Sequence, residues 1–272
     1  MKRNILIMAV TIISMACISC TIKFDDYELG GEKINGNGNI VTQSYDVSAF
    51  NELSIALPAT VNFTVSDEYS CTIRVDENIL EYLDVKVRNE DLVLKRQDAY
   101  KNTNLRATEF VIEVTAPRLE EISLAGSGTL NVLSPLEGEE LEVNLAGSGD
   151  IAFDQAINYQ KIELSVAGSG DLDCAELIAD ELEATIAGSG DVNVASGAVR
   201  EANASVAGSG DIVLTCTIEN LDANIAGSGD IKARVTGKLD YTIFGSGEIG
   251  YYGNPVVDGS KVGRSNITRL GD

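Results

Sequence analysis

Apolar and polar residues alternate along most of this chain, the period-two pattern of strands that bury one face. Leu53-Ser54-Ile55-Ala56-Leu57, Val61-Asn62-Phe63-Thr64-Val65, Thr72-Ile73-Arg74-Val75, Leu83-Asp84-Val85-Lys86-Val87, Leu92-Val93-Leu94 and Phe110-Val111-Ile112-Glu113-Val114 each read as one strand, with Glu77 to Leu83 a short helix or a turn. From Leu119 a second, longer period is superimposed. Gly-Ser-Gly begins at Gly126, Gly147, Gly168, Gly188, Gly208, Gly227 and Gly245, in steps of 21, 21, 20, 20, 19 and 18 residues. Each copy follows a strand such as Leu141-Glu142-Val143-Asn144-Leu145 and precedes another such as Ile151-Ala152-Phe153. Self-similarity at a period near twenty predicts a solenoid, whose repeats bury their apolar faces only by stacking. At about 3.3 Å per strand residue such a repeat makes a loop of some three short sides, the girth of a β-helix. A leucine-rich horseshoe would need a Leu-x-x-Leu-x-Leu frame with an Asn ladder, which is missing, and a propeller blade would be twice as long.

The fold expected is therefore all-β, a single-stranded parallel β-helix with coils of about 20 residues. Residues 39–118 are expected as less regular N-terminal coils, with a separate small β-sandwich as the alternative, 119–252 as the regular repeats and 253–272 as a C-terminal cap. Aligned copies predict two inward ladders: Leu124, Leu145, Val166, Ile186, Val206, Ile225 and Ile243 or Phe244 before the corner, and Leu130, Ile151, Leu172, Val192, Ile212, Ile231 and Ile249 after it. The corner glycines are Gly126 and Gly128, Gly147 and Gly149, Gly168 and Gly170, Gly188 and Gly190, Gly208 and Gly210, Gly227 and Gly229, and Gly245 and Gly247. Glycine suits a sharp corner because it accepts positive φ and lets backbone approach closely. Asp150, Asp171, Asp191, Asp211 and Asp230 follow five of the corners and fall in one column. Side chains of this kind satisfy local backbone amides in turns. A stack of carboxylates about 4.8 Å apart is also a candidate weak calcium ladder, although the Gly-Gly-x-Gly-x-Asp motif of calcium β-rolls is not reproduced.

Charge narrows the functions. The 272 residues carry 20 Lys+Arg against 42 Asp+Glu and no histidine. Nucleic acid is excluded as a partner, since phosphate binding needs clustered Lys and Arg, and adsorption to anionic lipid is disfavoured. Met1 to Cys20 reads as an export signal: Lys2 and Arg3 precede an apolar run, Ile5 to Ile13, too short to span a bilayer. Ala16-Cys17-Ile18-Ser19-Cys20 resembles a bacterial lipobox, with Cys20 the expected lipid acceptor and Cys17 the alternative. Residues 1–19 are then a signal peptide and 20–38 a tether, whose Lys23-Phe24-Asp25-Asp26-Tyr27-Glu28 is similar to the acidic export tag of surface lipoproteins in Bacteroidetes-type bacteria. The membrane is a partner through that anchor alone.

The Ala-Gly-Ser-Gly-Asp-like repeats, a Gly-x-Gly entry at Gly36 and Gly38, the lipoprotein signal, and Tyr252-Gly253-Asn254-Pro255-Val256 followed by Gly259 together resemble the putative autotransporter adhesin, head GIN domain family, over Asn39 to Asp272. The resemblance implies a single-stranded parallel β-helix on a bacterial envelope lipoprotein of the outer membrane. Adhesion comes with the family name, and no catalytic residues come with it.

Known chemistries leave little trace. Without histidine there is no Ser-His-Asp triad and no conventional zinc site, and no P-loop or dinucleotide fingerprint occurs. A β-helical carbohydrate enzyme working through paired carboxylates stays open as the alternative. Cys174 and Cys216 fall two coils apart, about 9.6 Å along the axis and beyond disulfide reach, so with Cys71 they are expected as buried thiols. Lys261, Arg264 and Arg269 cluster near the C-terminus, either as part of the cap or as an anion site, and Tyr241, Tyr251 and Tyr252 offer either packing or a platform for sugar stacking. The working expectation is a non-catalytic envelope module, not an enzyme and without a cofactor, that presents a flat β face to a glycan or protein outside the cell. A periplasmic structural or signalling accessory is the other class.

Overall fold

A computed structural model describes residues 33–272 of the chain. Cys17, Cys20 and the acidic stretch after them lie outside the described residues. In the regular region every copy forms one coil. Leu136–Gly147 pairs in parallel with Asp150–Gly168, placing Leu141 opposite Ile162 and Gly147 opposite Gly168. The same register passes through Leu172–Gly188, Gly197–Gly208, Ile212–Gly227 and Ile231–Gly245. Corner glycines stay aligned from Gly126 to Gly263, so the copies stack along one axis as a single-stranded parallel β-helix.

The corner works because each of its two glycines meets a different constraint. Gly168 has φ +136°, a value that side chains rarely adopt. Gly170 does not share that φ, but a Cβ on it would run into the carbonyl oxygen of Gly149 in the coil below. Glycine is required once for the turn and once for the stacking distance.

Both predicted ladders point inward. Leu124, Leu145, Val166, Ile186, Val206, Ile225 and Ile243 are at most 2% exposed, and Leu130, Ile151, Leu172, Val192, Ile212, Ile231 and Ile249 are fully buried. Ile243 holds the inward place, while Phe244 turns out to solvent. Cys71, Cys174 and Cys216 are free and buried in this core. Burial pushes the Cys71 thiol up to about 12 and the Cys216 thiol up to about 11.

Step length falls along the stack on one side only. From the last inward residue after the corner to the first of the next coil, Phe153 to Ile162 spans nine positions, Cys174 to Leu182 eight, Leu214 to Leu221 seven and Ala233 to Leu239 six. The first two sides keep their length, so this third side absorbs the taper, and the ladder's register shifts fall there.

The N-terminal coils belong to the same stack and form no separate sandwich, but their order along the axis differs from their order in the chain. Glu52–Ala56 and Thr60–Val65 make a coil whose corner is Leu57-Pro58-Ala59. It lies between Glu121–Gly126 with Thr129–Val132 on one side and Asp91–Arg96 with Phe110–Ala116 on the other. Beyond the outer coil the pairing turns antiparallel: Leu83–Arg88 closes on Asp91–Arg96, Ser70–Asp76 on Phe110–Ala116, and Ile40–Tyr45 on Ser70–Asp76. The 3-10 helix Glu77–Tyr82 buries Ile79 beneath them. Antiparallel strands cannot extend a parallel coil, which makes this end a terminator.

The described part of the expected tether, from Lys33 to Gly38, is joined to the stack. Lys33–Asn35 pairs in parallel with Asn104–Arg106. Gly38 then donates its backbone N–H to the buried Asp76 carboxylate at 2.7 Å, and Thr108 donates its N–H at 2.6 Å and its hydroxyl at 3.0 Å. A Cβ at Gly36 would strike that carboxylate, which accounts for the first glycine of the Gly-x-Gly entry.

At the other end, 253–272 covers the last regular coil by forming one more coil. Val256–Gly263 pairs in parallel with Ile231–Gly245, and Asn266–Gly271 with Glu248–Tyr252. Its inward places hold Gly259 and Lys261 where earlier coils have aliphatics. The Tyr241 ring occupies the space over Gly259, and the Lys261 ammonium donates to the Ser265 carbonyl at 3.2 Å. An inward-pointing charge on an edge strand discourages further stacking.

Candidate functional site

Because the coils stack in register, any residue type that recurs at one position of the repeat becomes a column on the surface. Five residues before each corner glycine stands an outward position occupied by Glu121, Glu142, Glu163, Glu183, Asn203, Asp222 and Asp240. The column continues to Glu52 and Asp91 at one end and Asp258 at the other. Alongside it runs a column of short polar residues, Ser123, Asn144, Ser165, Thr185, Ser205, Asn224 and Thr242. The acid column was legible as a five-residue offset from the corner, but attention to the inward positions passes over it.

Carboxylates about 4.8 Å apart repel one another. Lys161 answers locally by bonding Glu140 and Glu163, and Lys238 by bonding Asp240 at 2.6 Å. Glu52 has no such partner in its column. Burial first, and then the charges of Glu121, Asp91, Glu90 and Glu120, push its carboxyl above the ordinary range. A carboxyl raised in the folded state destabilises the fold when ionised, and the penalty is relieved as pH falls through the raised value. Glu52→Gln is therefore expected to raise the melting temperature at pH 7.5, with the gain shrinking toward about pH 4 as the parent carboxyl protonates; an unchanged or lower melting point at pH 7.5 contradicts this. Asp76 behaves oppositely. Burial would raise its carboxyl, but the hydrogen bonds from Thr108 and Gly38 outweigh it and hold the value below the ordinary range. That contribution is present above the unfolded pKa and is lost as pH falls through the lowered one.

Asp150, Asp171, Asp191, Asp211 and Asp230 do share one column. Each carboxylate accepts the backbone N–H of the acidic residue one coil on: Asp171 on Asp150 at 3.2 Å, Asp191 on Asp171 at 3.0 Å, Asp211 on Asp191 and Asp230 on Asp211 at 2.8 Å, and Glu248 on Asp230 at 2.7 Å. One oxygen of every aspartate is thus committed to the main chain. Among the described residues no group of three or more His, Cys, Asp or Glu is placed to hold a metal ion.

Of the two readings of the C-terminal tyrosines, the structure shows packing contacts. Tyr241 and Tyr251 pack against the core, and Tyr252 lies under Arg234, whose guanidinium carbon is 5.2 Å from the ring centroid. Of the C-terminal basic residues, Lys261 is tied to Ser265 and Arg269 to Gly253 and Asp272.

The tapering third side holds a feature that the repeat pattern did not announce. A groove of about 1140 Å³ runs along it past six successive coils, from Glu137 and Gly138 through Asn158, Ile178, Ala198 and Thr217 to Thr236 and Gly237. Its floor is aliphatic and small, with Ala179 and Val199 beneath Ile178 and Ala198. Asn158, Gln160 and Thr217 add neutral polar groups, Glu137, Asp180 and Glu219 carry negative charge, and Arg200 is the one cation in the lining. Arg200 already faces Asp180 and Glu181, each at 3.9 Å, and bonds Glu201. Tyr159 lines the groove at its acid end, yet it is 3% exposed and its hydroxyl donates to the Leu119 carbonyl at 2.8 Å. Beyond Glu137 the groove opens into a depression bordered by Glu52, Glu120, Glu121, Glu139, Glu140 and Glu142.

Parallel coils, side-chain columns and an axial groove define a β-solenoid. The family model described as putative auto-transporter adhesin, head GIN domain, matches residues 49–156 and again 142–255, and the chain belongs to that family. Among solved structures, a putative lipid binding protein from Parabacteroides distasonis is 32% identical with a TM-score of 0.84, the match covering 88% of this chain and 100% of that one. A putative adhesin from Parabacteroides merdae is 26% identical with a TM-score of 0.82 over the same shares. A putative adhesin from Parabacteroides distasonis, 24% identical with a TM-score of 0.80 at equal coverage, is similar in fold. No curated protein matches. Among the described residues no helix is long and apolar enough to cross a membrane.

Proposed function

We propose that this protein is a non-catalytic binding module of the bacterial cell envelope, carried on the outer membrane by lipid at Cys20 and holding a glycan or protein outside the cell. The observation that carries the reading is the axial groove, continuous over six coils, on a stack whose outward faces carry columns of polar residues. Family and solved relatives bear the names adhesin and lipid binding protein rather than the name of a reaction. Asp180 and Glu219, acids of the groove, stand two coils apart, about 9.6 Å along the axis, wider than the roughly 5 Å of a retaining glycosidase and at the outer limit of the about 6.5 to 9.5 Å of an inverting one.

Two measurements test this. Labelling cells with a clickable palmitate analogue should mark the parent and Cys17→Ala but not Cys20→Ala, which should leave the membrane fraction; label retained by Cys20→Ala overturns the anchor. Cells displaying the protein should be retained on at least one class of glycan or matrix protein, and Ala198→Arg, which fills the groove, should reduce retention at least tenfold. Equal retention by both overturns the site.

A further inference from the structure

The groove carries a sharper statement about its partner, which rests on the reading of the chain as a binding module. We infer that it takes an extended polypeptide segment bearing lysine or arginine, laid along the solenoid axis. Three features of the lining lead there.

The first is the combination of an aliphatic floor with carboxylates along it. Ile178 is 39% exposed although it is a large apolar side chain, and Ala198 lies beside it on the next coil. Asp180 and Glu219 stand along the same groove with Glu137 at its end. Lysine and arginine have this division in themselves, an apolar stem that covers hydrophobic surface and a charged head that stays polar. A stem over Ile178 and Ala198 brings its head to Asp180 or Glu219.

The second is the balance of charge. Residues 119–252 hold 23 of the 42 acidic residues and five of the 20 basic ones. The one cation of the groove, Arg200, is already surrounded by Asp180, Glu181 and Glu201. A polyanion entering the groove would meet uncompensated carboxylates, whereas a polycation is drawn in and held in register. The third is shape. Six coils at about 4.8 Å give a groove roughly 24 Å long, the span of about seven extended residues at 3.4 Å each. A sugar chain would want an exposed ring to stack on, and the tyrosine of the lining, Tyr159, is buried with its hydroxyl engaged.

The test uses the purified full-length protein in detergent and fluorescein-labelled nine-residue peptides that alternate lysine with threonine, glutamine with threonine, or glutamate with threonine, together with a labelled neutral β-linked hexasaccharide. The lysine peptide should bind at least tenfold more tightly than the glutamine peptide, the glutamate peptide should not bind, and affinity should fall at least tenfold between 50 and 300 mM salt as the lysine–carboxylate attraction is screened. Ala198→Arg and Asp180→Lys should each weaken binding at least tenfold. Glu183→Lys, the same change of charge on the neighbouring face, should weaken it less than threefold. All three variants should melt within about 3 °C of the parent, since surface changes shift stability little. If Asp180→Lys and Glu183→Lys weaken the peptide equally, attraction is diffuse and the groove assignment falls. If the hexasaccharide binds instead, and Ala198→Arg blocks it, the partner class is wrong while the module reading stands. If no probe binds and Ala198→Arg cells adhere as the parent does, both readings fall.

Discussion

Gly170→Ala is expected to lower stability by about 4 kcal/mol or more, although it adds a single methyl group at a corner of the coil. The Cβ has no free volume to enter, because the Gly149 carbonyl oxygen occupies its place. To admit it the coil must lift, and the Ser169 N–H bond to the Gly147 carbonyl at 2.8 Å stretches with it. In a close-packed stack that displacement passes to the side chains nearby, including Leu145, whose Cδ2 would lie 3.1 Å from the new atom. At roughly 2–4 °C per kcal/mol for a chain of this size, the melting temperature should fall by on the order of 10 °C. Ser169→Ala, one residue away with its side chain in solvent, should change stability by less than about 0.5 kcal/mol. A Gly170→Ala protein that melts within 2 °C of the parent would falsify the close-approach account of the second corner glycine.

The second large effect is expected at Val206→Asp. Val206 is 2% exposed and stacks between Ile186 and Ile225 in the inward ladder. An unpaired carboxylate there loses its hydration with no donor in exchange, and a cost above about 4 kcal/mol follows. Because a coil touches only its neighbours, the damage should be local and shared, with amide exchange accelerating in 181–188 and 221–227 while Glu121–Gly126 stays protected. Acidification should return part of the loss, since a buried carboxyl protonates readily. Ala207→Asp, one position on and exposed, should be nearly neutral. Faster exchange confined to Val206's own coil, or spread evenly over the molecule, contradicts nearest-neighbour stacking.

These two positions were legible from sequence for a definite reason. Gly-Ser-Gly fixes the phase of each coil, and period-two alternation on either side then assigns every residue to the interior or the surface, which is how Val206 and Ile231 could be placed inward without coordinates. Phase is lost where the marker is lost. Leu57-Pro58-Ala59 turns the same corner without a Gly-Ser-Gly, and its coil is separated in sequence from the coil of Asp91–Arg96 and Phe110–Ala116 by the strands and 3-10 helix between 70 and 88, so their exchange of axial order was invisible. Pairing between Glu52–Ala56 and Glu121–Gly126 joins residues about seventy positions apart, and alternation says nothing about which strand a strand will choose. The terminal coil is a similar case. Gly259 looks like a turn residue, and only the Tyr241 ring lying over it reveals an interior position left empty for a neighbour's side chain. As for the groove, the shrinking step from 21 to 18 residues was plain, but which side gave up the residues depends on where the ladder keeps its register.

The exchanged order of the first coils bears on how the molecule is made. Thr60–Val65 needs Phe110–Ala116 on one flank and Thr129–Val132 on the other, so nothing at that end is complete until well over a hundred residues have been delivered. Everything after Leu136 asks only for the turn laid down just before it. A polypeptide handed over head first would therefore wait, set a seed from its leading half in one concerted step, and then wind the remainder onto that seed as fast as it arrives.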